Sequence, residues 1–118
     1  MKDYSLGVIE ARFADIIWNH APLKTSDMVK LAEESLGWKR TTTYTVLKKL
    51  SDRGLFVNEE GVVKVLMTKE EFYARQSENY VEQSFGGSLP NFLTAFSSRH
   101  KLSDKEIDEI LKIIEENR

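Results

Sequence analysis

Apolar positions recur at helical spacing from the start of the chain. Ile9, Phe13, Ile16 and Ile17 fall at i, i+4, i+7 and i+8, one face of a helix from Val8 to Asn19. Gly7 is placed to cap it, Glu10 stands where a carboxylate meets the free N-terminal amides, and Ala21-Pro22 ends it. A second helix, from Thr25 or Ser26 to Ser35, turns Met28, Leu31, Ala32 and Leu36 inward. Thr25, Ser26 and Asp27 are all capable caps, and Gly37 closes the helix. The third spans Thr41 to Arg53. Thr43, Val46, Leu47 and Leu50 share one side, and Thr41, Thr45, Lys48 and Asp52 lie opposite, flanked by Tyr44 and Lys49. Gly54 stops it. Leu55-Phe56-Val57-Asn58 and Val62-Val63-Lys64-Val65-Leu66-Met67 then read as two strands joined through Glu59-Glu60-Gly61. Three helices followed by a β-hairpin is the order of a winged helix-turn-helix.

Helical spacing returns after the hairpin. Thr68-Lys69-Glu70-Glu71 matches a capping box and opens a helix reaching Ser84, with Phe72, Tyr73, Gln76, Tyr80 and Val81 available for packing. Gly86-Gly87 breaks it. Leu89-Pro90 starts a short helix carrying Phe92, Leu93 and Phe96. Ser103-Asp104-Lys105-Glu106 is a second capping box, ahead of Ile107, Ile110, Leu111, Ile113 and Ile114. The expected fold class is therefore mainly α (α+β): a winged helix-turn-helix domain over 1–67 and a helical dimerisation domain over 68–118. The second assignment rests on burial. About 50 residues of amphipathic helix do not make a core alone, and a second copy of the chain supplies the missing surface. The residues expected at that interface are Phe72, Tyr80, Phe85, Phe92, Phe96, Ile107, Ile110, Leu111 and Ile114. The competing arrangement folds the tail back on its own hairpin within a monomer.

A length of 118 residues suits one domain with an appendage, and 41% apolar with 31% charged residues suits a folded globular chain. The absence of Cys removes disulfides, zinc-thiolate and iron-sulfur sites and thiol catalysis. No apolar run approaches the roughly 20 residues of a membrane helix, and the N-terminus lacks a signal-peptide layout, so no membrane insertion and a cytoplasmic location are expected. Net charge is only -2, yet its distribution is uneven. Lys39 to Arg53 holds five cations against the single anion Asp52, whereas Glu70 to Arg118 holds six cations against ten anions. Such asymmetry suggests a nucleic-acid-facing half and a half with another task.

Catalysis needs a nucleophile or metal, a base and a group that orients the base. His20 and His100 are the two histidines and neither sits in a motif, so no enzyme, no metal site and no cofactor is expected. The third helix has instead the chemistry of a DNA reader. Thr41, Thr42 and Thr45 allow close approach to base edges and phosphates, and Tyr44 offers a phenol to the sugar-phosphate wall. Lys39 and Arg40 before the helix, with Lys48, Lys49 and Arg53 later in it, place cations at the two walls of a major groove. Lys64 on the hairpin is a further phosphate candidate, although Glu59 and Glu60 at the tip oppose one. Trp38 is placed to clamp the second helix to the third, and Trp18 reads as structural.

Taken together, Ile16-Ile17-Trp18, the run Trp38-Lys39-Arg40-Thr41-Thr42-Thr43-Tyr44-Thr45-Val46-Leu47-Lys48-Lys49-Leu50 and Arg53-Gly54-Leu55 resemble the penicillinase and methicillin-resistance repressors, the BlaI/MecI family. The likeness continues through Phe85-Gly86-Gly87 and the final Leu102-Ser103-Asp104-Lys105-Glu106-Ile107 segment, nearly the whole chain. It implies a homodimeric winged-helix repressor that binds a palindromic double-stranded operator, with interlocked C-terminal helices. The positions matching Thr41, Thr42, Tyr44 and Thr45 approach the groove in that family. It also implies release through a membrane sensor-protease pathway that cuts an Asn-Phe bond. The corresponding pair here is Ala95-Phe96, with Asn91-Phe92 four residues earlier. Copper-responsive relatives use Cys clusters, which this chain lacks. Two other functional classes fit the same residues: a winged-helix regulator that senses a small ligand, and a winged helix used only for protein contacts. About five phosphate contacts per subunit of a dimer imply a log-log salt slope of about -9.

Overall fold

The elements follow in the order α1 (Val8–His20), β1 (Leu23–Lys24), α2 (Thr25–Leu36), α3 (Arg40–Asp52), β2 (Phe56–Glu59), β3 (Val62–Val65), α4 (Lys69–Phe85), α5 (Leu89–Arg99) and α6 (Asp104–Glu116). The structure is a computed structural model and describes residues 6–118. The mainly helical class with a small antiparallel sheet agrees with the sequence pattern.

α1 begins at Gly7, whose N–H donates to Glu10 Oε1 at 3.2 Å, the carboxylate position that its spacing indicated. Its buried residues are Phe13, Ala14 and Ile17; Ile9, expected on that face, lies in the first turn and is exposed. Sequence reading missed β1. Leu23 pairs with Val63 and Lys24 with Val62, so β3 runs in the centre of a β1-β3-β2 antiparallel sheet. A two-residue strand leaves no periodic trace in a sequence, and this one exists because the hairpin docks beside it. The same pairing moves the start of α2. The N-cap is Lys24, not Thr25, Ser26 or Asp27, and the Thr25 N–H donates to Gly61 O at 2.9 Å. At its other end Gly37 adopts φ 68°, a left-handed cap open to glycine without strain, with its N–H on Glu33 O at 3.0 Å.

The hairpin turn is tighter than the three residues read from the sequence. Glu59 pairs with Val62, leaving Glu60 at φ 51° and Gly61 at φ 85°, the two positive angles of a type I′ turn. Asn58 Oδ1 accepts the Gly61 N–H at 3.0 Å and so braces the turn. At the open end, the N–H groups of Leu66 and Met67 both donate to Leu55 O, at 2.9 and 3.1 Å.

One core joins these elements: Phe13, Ala14 and Ile17 from α1, Leu23 from β1, Met28 and Ala32 from α2, Leu47 and Leu50 from α3, with Leu55, Phe56, Val63, Met67 and Phe72. Trp18 fastens the start of α4 to it. Its Nε1–H donates to Met67 O at 3.0 Å, and its ring meets Phe56 at 5.6 Å, Phe72 at 5.9 Å and Tyr73 at 6.1 Å between centroids. Lys69 Nζ reaches Asp15 Oδ1 of α1 at 2.8 Å. Trp38, in the turn between α2 and α3, packs on Phe13 of α1 with centroids 5.1 Å apart, and its backbone N–H donates to Ala32 O of α2 at 3.4 Å.

These contacts relocate the internal boundary. The chain divides into Met1–Asn79 and Tyr80–Arg118, inside α4, and not between residues 67 and 68. Phe72 is correspondingly corrected: at 0% exposure it is a core residue of the first unit and has no surface to offer a second chain. In the second unit, Ser88 caps α5 by accepting from Asn91 N–H, and Ser103 and Glu106 form the complete capping box of α6. Tyr80, Phe85, Phe92 and Phe96 form a chain of ring contacts, each adjacent pair 5.5 to 6.2 Å apart between centroids. Among the described residues α5 and α6 bury no side chain; Leu111 is 54% exposed, and Ile107 and Ile114 on the same face are also exposed.

Candidate nucleic-acid interface

α3 is held by its buried side, Thr43, Leu47 and Leu50. Thr43 is the polar member of that set, and its hydroxyl is satisfied by donating to Lys39 O at 2.9 Å. The opposite side therefore faces outward: Thr41, Thr42, Thr45, Lys48 and Asp52 are all exposed. Thr45 Oγ1 donates to Thr41 O at 2.9 Å, a bond within the helix that settles the hydroxyl and leaves the methyl as the group on offer. Tyr44 is half-buried. The Arg40 guanidinium lies 5.5 Å from its ring centroid, one helical turn away, so the cation and the phenol are held together at the start of the helix. With Leu47, Lys48, Phe56, Val57 and Leu66 among others, Tyr44 lines a cleft of about 360 Å³ between α3 and the hairpin.

The structure distributes the expected phosphate-binding cations unequally. Lys39, Arg40 and Lys48 are exposed and have no ion pair among the described residues. Lys49 is turned toward α1, with Nζ 3.4 Å from Glu10 Oε2. Lys64, on β3, is 2.8 Å from Glu59 Oε2 on the neighbouring strand, so the hairpin tip carries its own counter-charge. Neither pairing was legible beforehand: Glu10 and Lys49 belong to different helices, and the Glu59–Lys64 diagonal depends on the register of a turn one residue tighter than expected. The Arg40–Tyr44 contact, by contrast, follows from i, i+4 spacing and was available in the sequence.

Glu10 lies at the meeting point of several groups. Partial burial raises its carboxyl pKa, but the Gly7 N–H, the Lys49 ammonium and the field of Arg53 together outweigh that and hold it below the ordinary value. Among the described residues no group of His, Asp and Glu is arranged to hold a metal ion, and no helix is long and apolar enough to cross a membrane.

Ala95 and Phe96 lie within α5, both exposed, and Phe96 stacks on His100 with centroids 5.1 Å apart. Of the residues expected at a dimer interface, Tyr80, Phe96, Ile107, Leu111 and Ile114 are exposed and Phe85, Phe92 and Ile110 half-buried, all in the second unit.

Comparison with known proteins extends over the same span. Residues 6–116 match the family model described as penicillinase repressor. The chain is 26% identical over 113 residues to the penicillinase repressor of Bacillus licheniformis, covering 92% of this chain and 88% of that one. It is 21% identical over 118 residues to the methicillin resistance regulatory protein MecI of Staphylococcus aureus, covering 96% and 95%, and 20% identical over the same length to MecI of Mammaliicoccus sciuri. With six helices, the hairpin and both capped tail helices falling inside the matched span, the chain belongs to the penicillinase repressor family.

Proposed function

We propose that the protein is a transcriptional repressor that acts as a homodimer on palindromic double-stranded operator DNA, with α3 entering the major groove. The observation that carries this reading is the outward side of α3. Threonines and a lysine form one exposed stripe opposite a fully buried side, so the helix is a rigid rod whose free face is suited to base edges and phosphates. Thr41, Thr42, Tyr44 and Thr45 are the proposed base and groove contacts; Lys39, Arg40 and Lys48 are the proposed phosphate contacts. The hairpin contributes little, because Lys64 is offset by Glu59 and the turn adds Glu60.

The dimer reading rests on the exposed apolar face of α6 and the aromatic row through α4 and α5. Two heads joined through such a tail read two half-sites as one body. Repression then follows from steric exclusion of polymerase, which requires no catalysis, metal or cofactor. Release by a sensor-protease pathway cutting at Ala95-Phe96 is the proposed induction route. That bond lies in a regular helical turn, so cleavage requires local unwinding of α5.

Footprinting of the purified protein on its own promoter tests the function. The expected result is a protected palindrome with half-sites on one face of the duplex, lost as salt is raised. Failure to retain any duplex at low ionic strength would overturn the reading.

A further inference from the structure

The environment of Glu10 is that of an occupied anion site. One carboxylate oxygen accepts the Gly7 N–H at the start of α1, and the other faces the Lys49 ammonium at 3.4 Å. Arg53 contributes its field from the end of α3. A backbone amide at a helix start, a lysine and an arginine are the donors a DNA phosphate oxygen takes. Here the chain's own carboxylate takes the amide and the lysine, with Arg53 acting on it through its field. The two partners differ in freedom: the Glu10 side chain is 22% exposed and tied to the backbone, whereas that of Lys49 is 60% exposed. The pair can therefore open only by Lys49 leaving, and an exposed pair of this kind holds the fold together weakly.

We propose that Glu10 is an internal phosphate mimic, a positioning residue that keeps Lys49 out of the DNA contact and thereby limits sequence-independent affinity. The inference rests on the reading of α3 as the DNA-facing helix. Lys49 lies one residue round the helix from Lys48, beside the outward stripe, so once released it adds one phosphate contact per subunit. Base contacts through Thr41, Thr42 and Thr45 are unchanged by the release.

The test is a double-mutant cycle on random-sequence duplex, read by fluorescence anisotropy between about 50 and about 200 mM salt. Glu10→Gln keeps an oxygen for the Gly7 N–H and removes the charge. Its log-log salt slope is expected to steepen by about 0.9 per subunit, so that across this range its affinity falls about threefold more per subunit than that of the wild type. Lys49→Gln in the otherwise unaltered chain leaves the slope where it was, and adding Lys49→Gln to Glu10→Gln abolishes the gain. An unchanged slope in Glu10→Gln overturns the proposal. So does a gain that survives in the double variant, because that marks general relief of repulsion. Should Glu10→Gln fail to melt cooperatively, Lys49→Gln alone decides: a slope shallower by about 0.9 per subunit shows that Lys49 already contacts phosphate and overturns the proposal. Wild-type protein that ignores duplex altogether would instead sink the DNA-binding reading.

Discussion

Thr45 and Lys48 sit one turn apart on the same exposed stripe but offer different chemistry. The threonine hydroxyl is committed to Thr41 O, leaving an apolar methyl, while the lysine presents a charge without directional preference. Thr45→Ala is therefore expected to change which operator variants bind, by roughly 1 to 3 kcal/mol at the affected base pair, with the salt slope intact. Lys48→Ala is expected to weaken binding to every sequence alike and to make the slope shallower by about 0.9 per subunit. Competition titrations with single-base operator variants separate the two. Glu10 makes a prediction about stability. Its folded pKa is depressed from 4.5, so its contribution is complete above that value and is lost as pH falls through the folded pKa. Wild type and Glu10→Gln are expected to differ in stability, measured by urea unfolding at neutral pH, by no more than about 1 kcal/mol and to converge once the pH has fallen below the folded pKa.

α4 belongs partly to each unit, and its two ends carry different loads. Phe72, near its start, is sealed against Trp18 and Tyr73, whereas the exposed Tyr80 begins the aromatic row. Phe72→Ala is expected to cost about 3 to 5 kcal/mol of stability. Sedimentation below its melting temperature is expected to show the oligomeric state of the wild type. Substituting Ile110 and Ile114 on α6 by Asp is expected to have the converse effect, giving monomers whose head melts as before. A double variant that sediments as a dimer would show that α6 is not the contact.

For the whole molecule, the proposed dimer makes affinity the product of two recognition helices and the cations that remain available to phosphate. Lys39, Arg40 and Lys48 are the three proposed per subunit, since Lys49 and Lys64 are paired internally. Six contacts in a dimer imply a slope of about -5 on the operator, shallower than the roughly -9 that a count of basic residues suggests. A measured slope as steep as the larger figure would mean that both internal pairs open on DNA. In the double variant carrying Ile110→Asp and Ile114→Asp the slope is expected to halve, because one head then binds alone.

Helices, their faces and their ends were readable from the chain before any fold was known. Periodicity of 3.6 and capping are fixed by neighbours within four residues, so Leu47, Leu50, the Thr41–Thr45–Lys48 stripe and the Ser103–Glu106 box were legible, and with them the order of elements that marks the family. What meets across long separations came from packing alone. Trp18 finds Met67 O 49 residues away, Leu23 becomes a strand because Val63 lies beside it, and Phe72 is removed from the tail by the core that receives it. The same holds for Lys49, whose partner Glu10 lies on another helix. Spacing places its ammonium on a flank of α3, but which charge stands opposite depends on how α1 packs there, and that is a property of the assembled core.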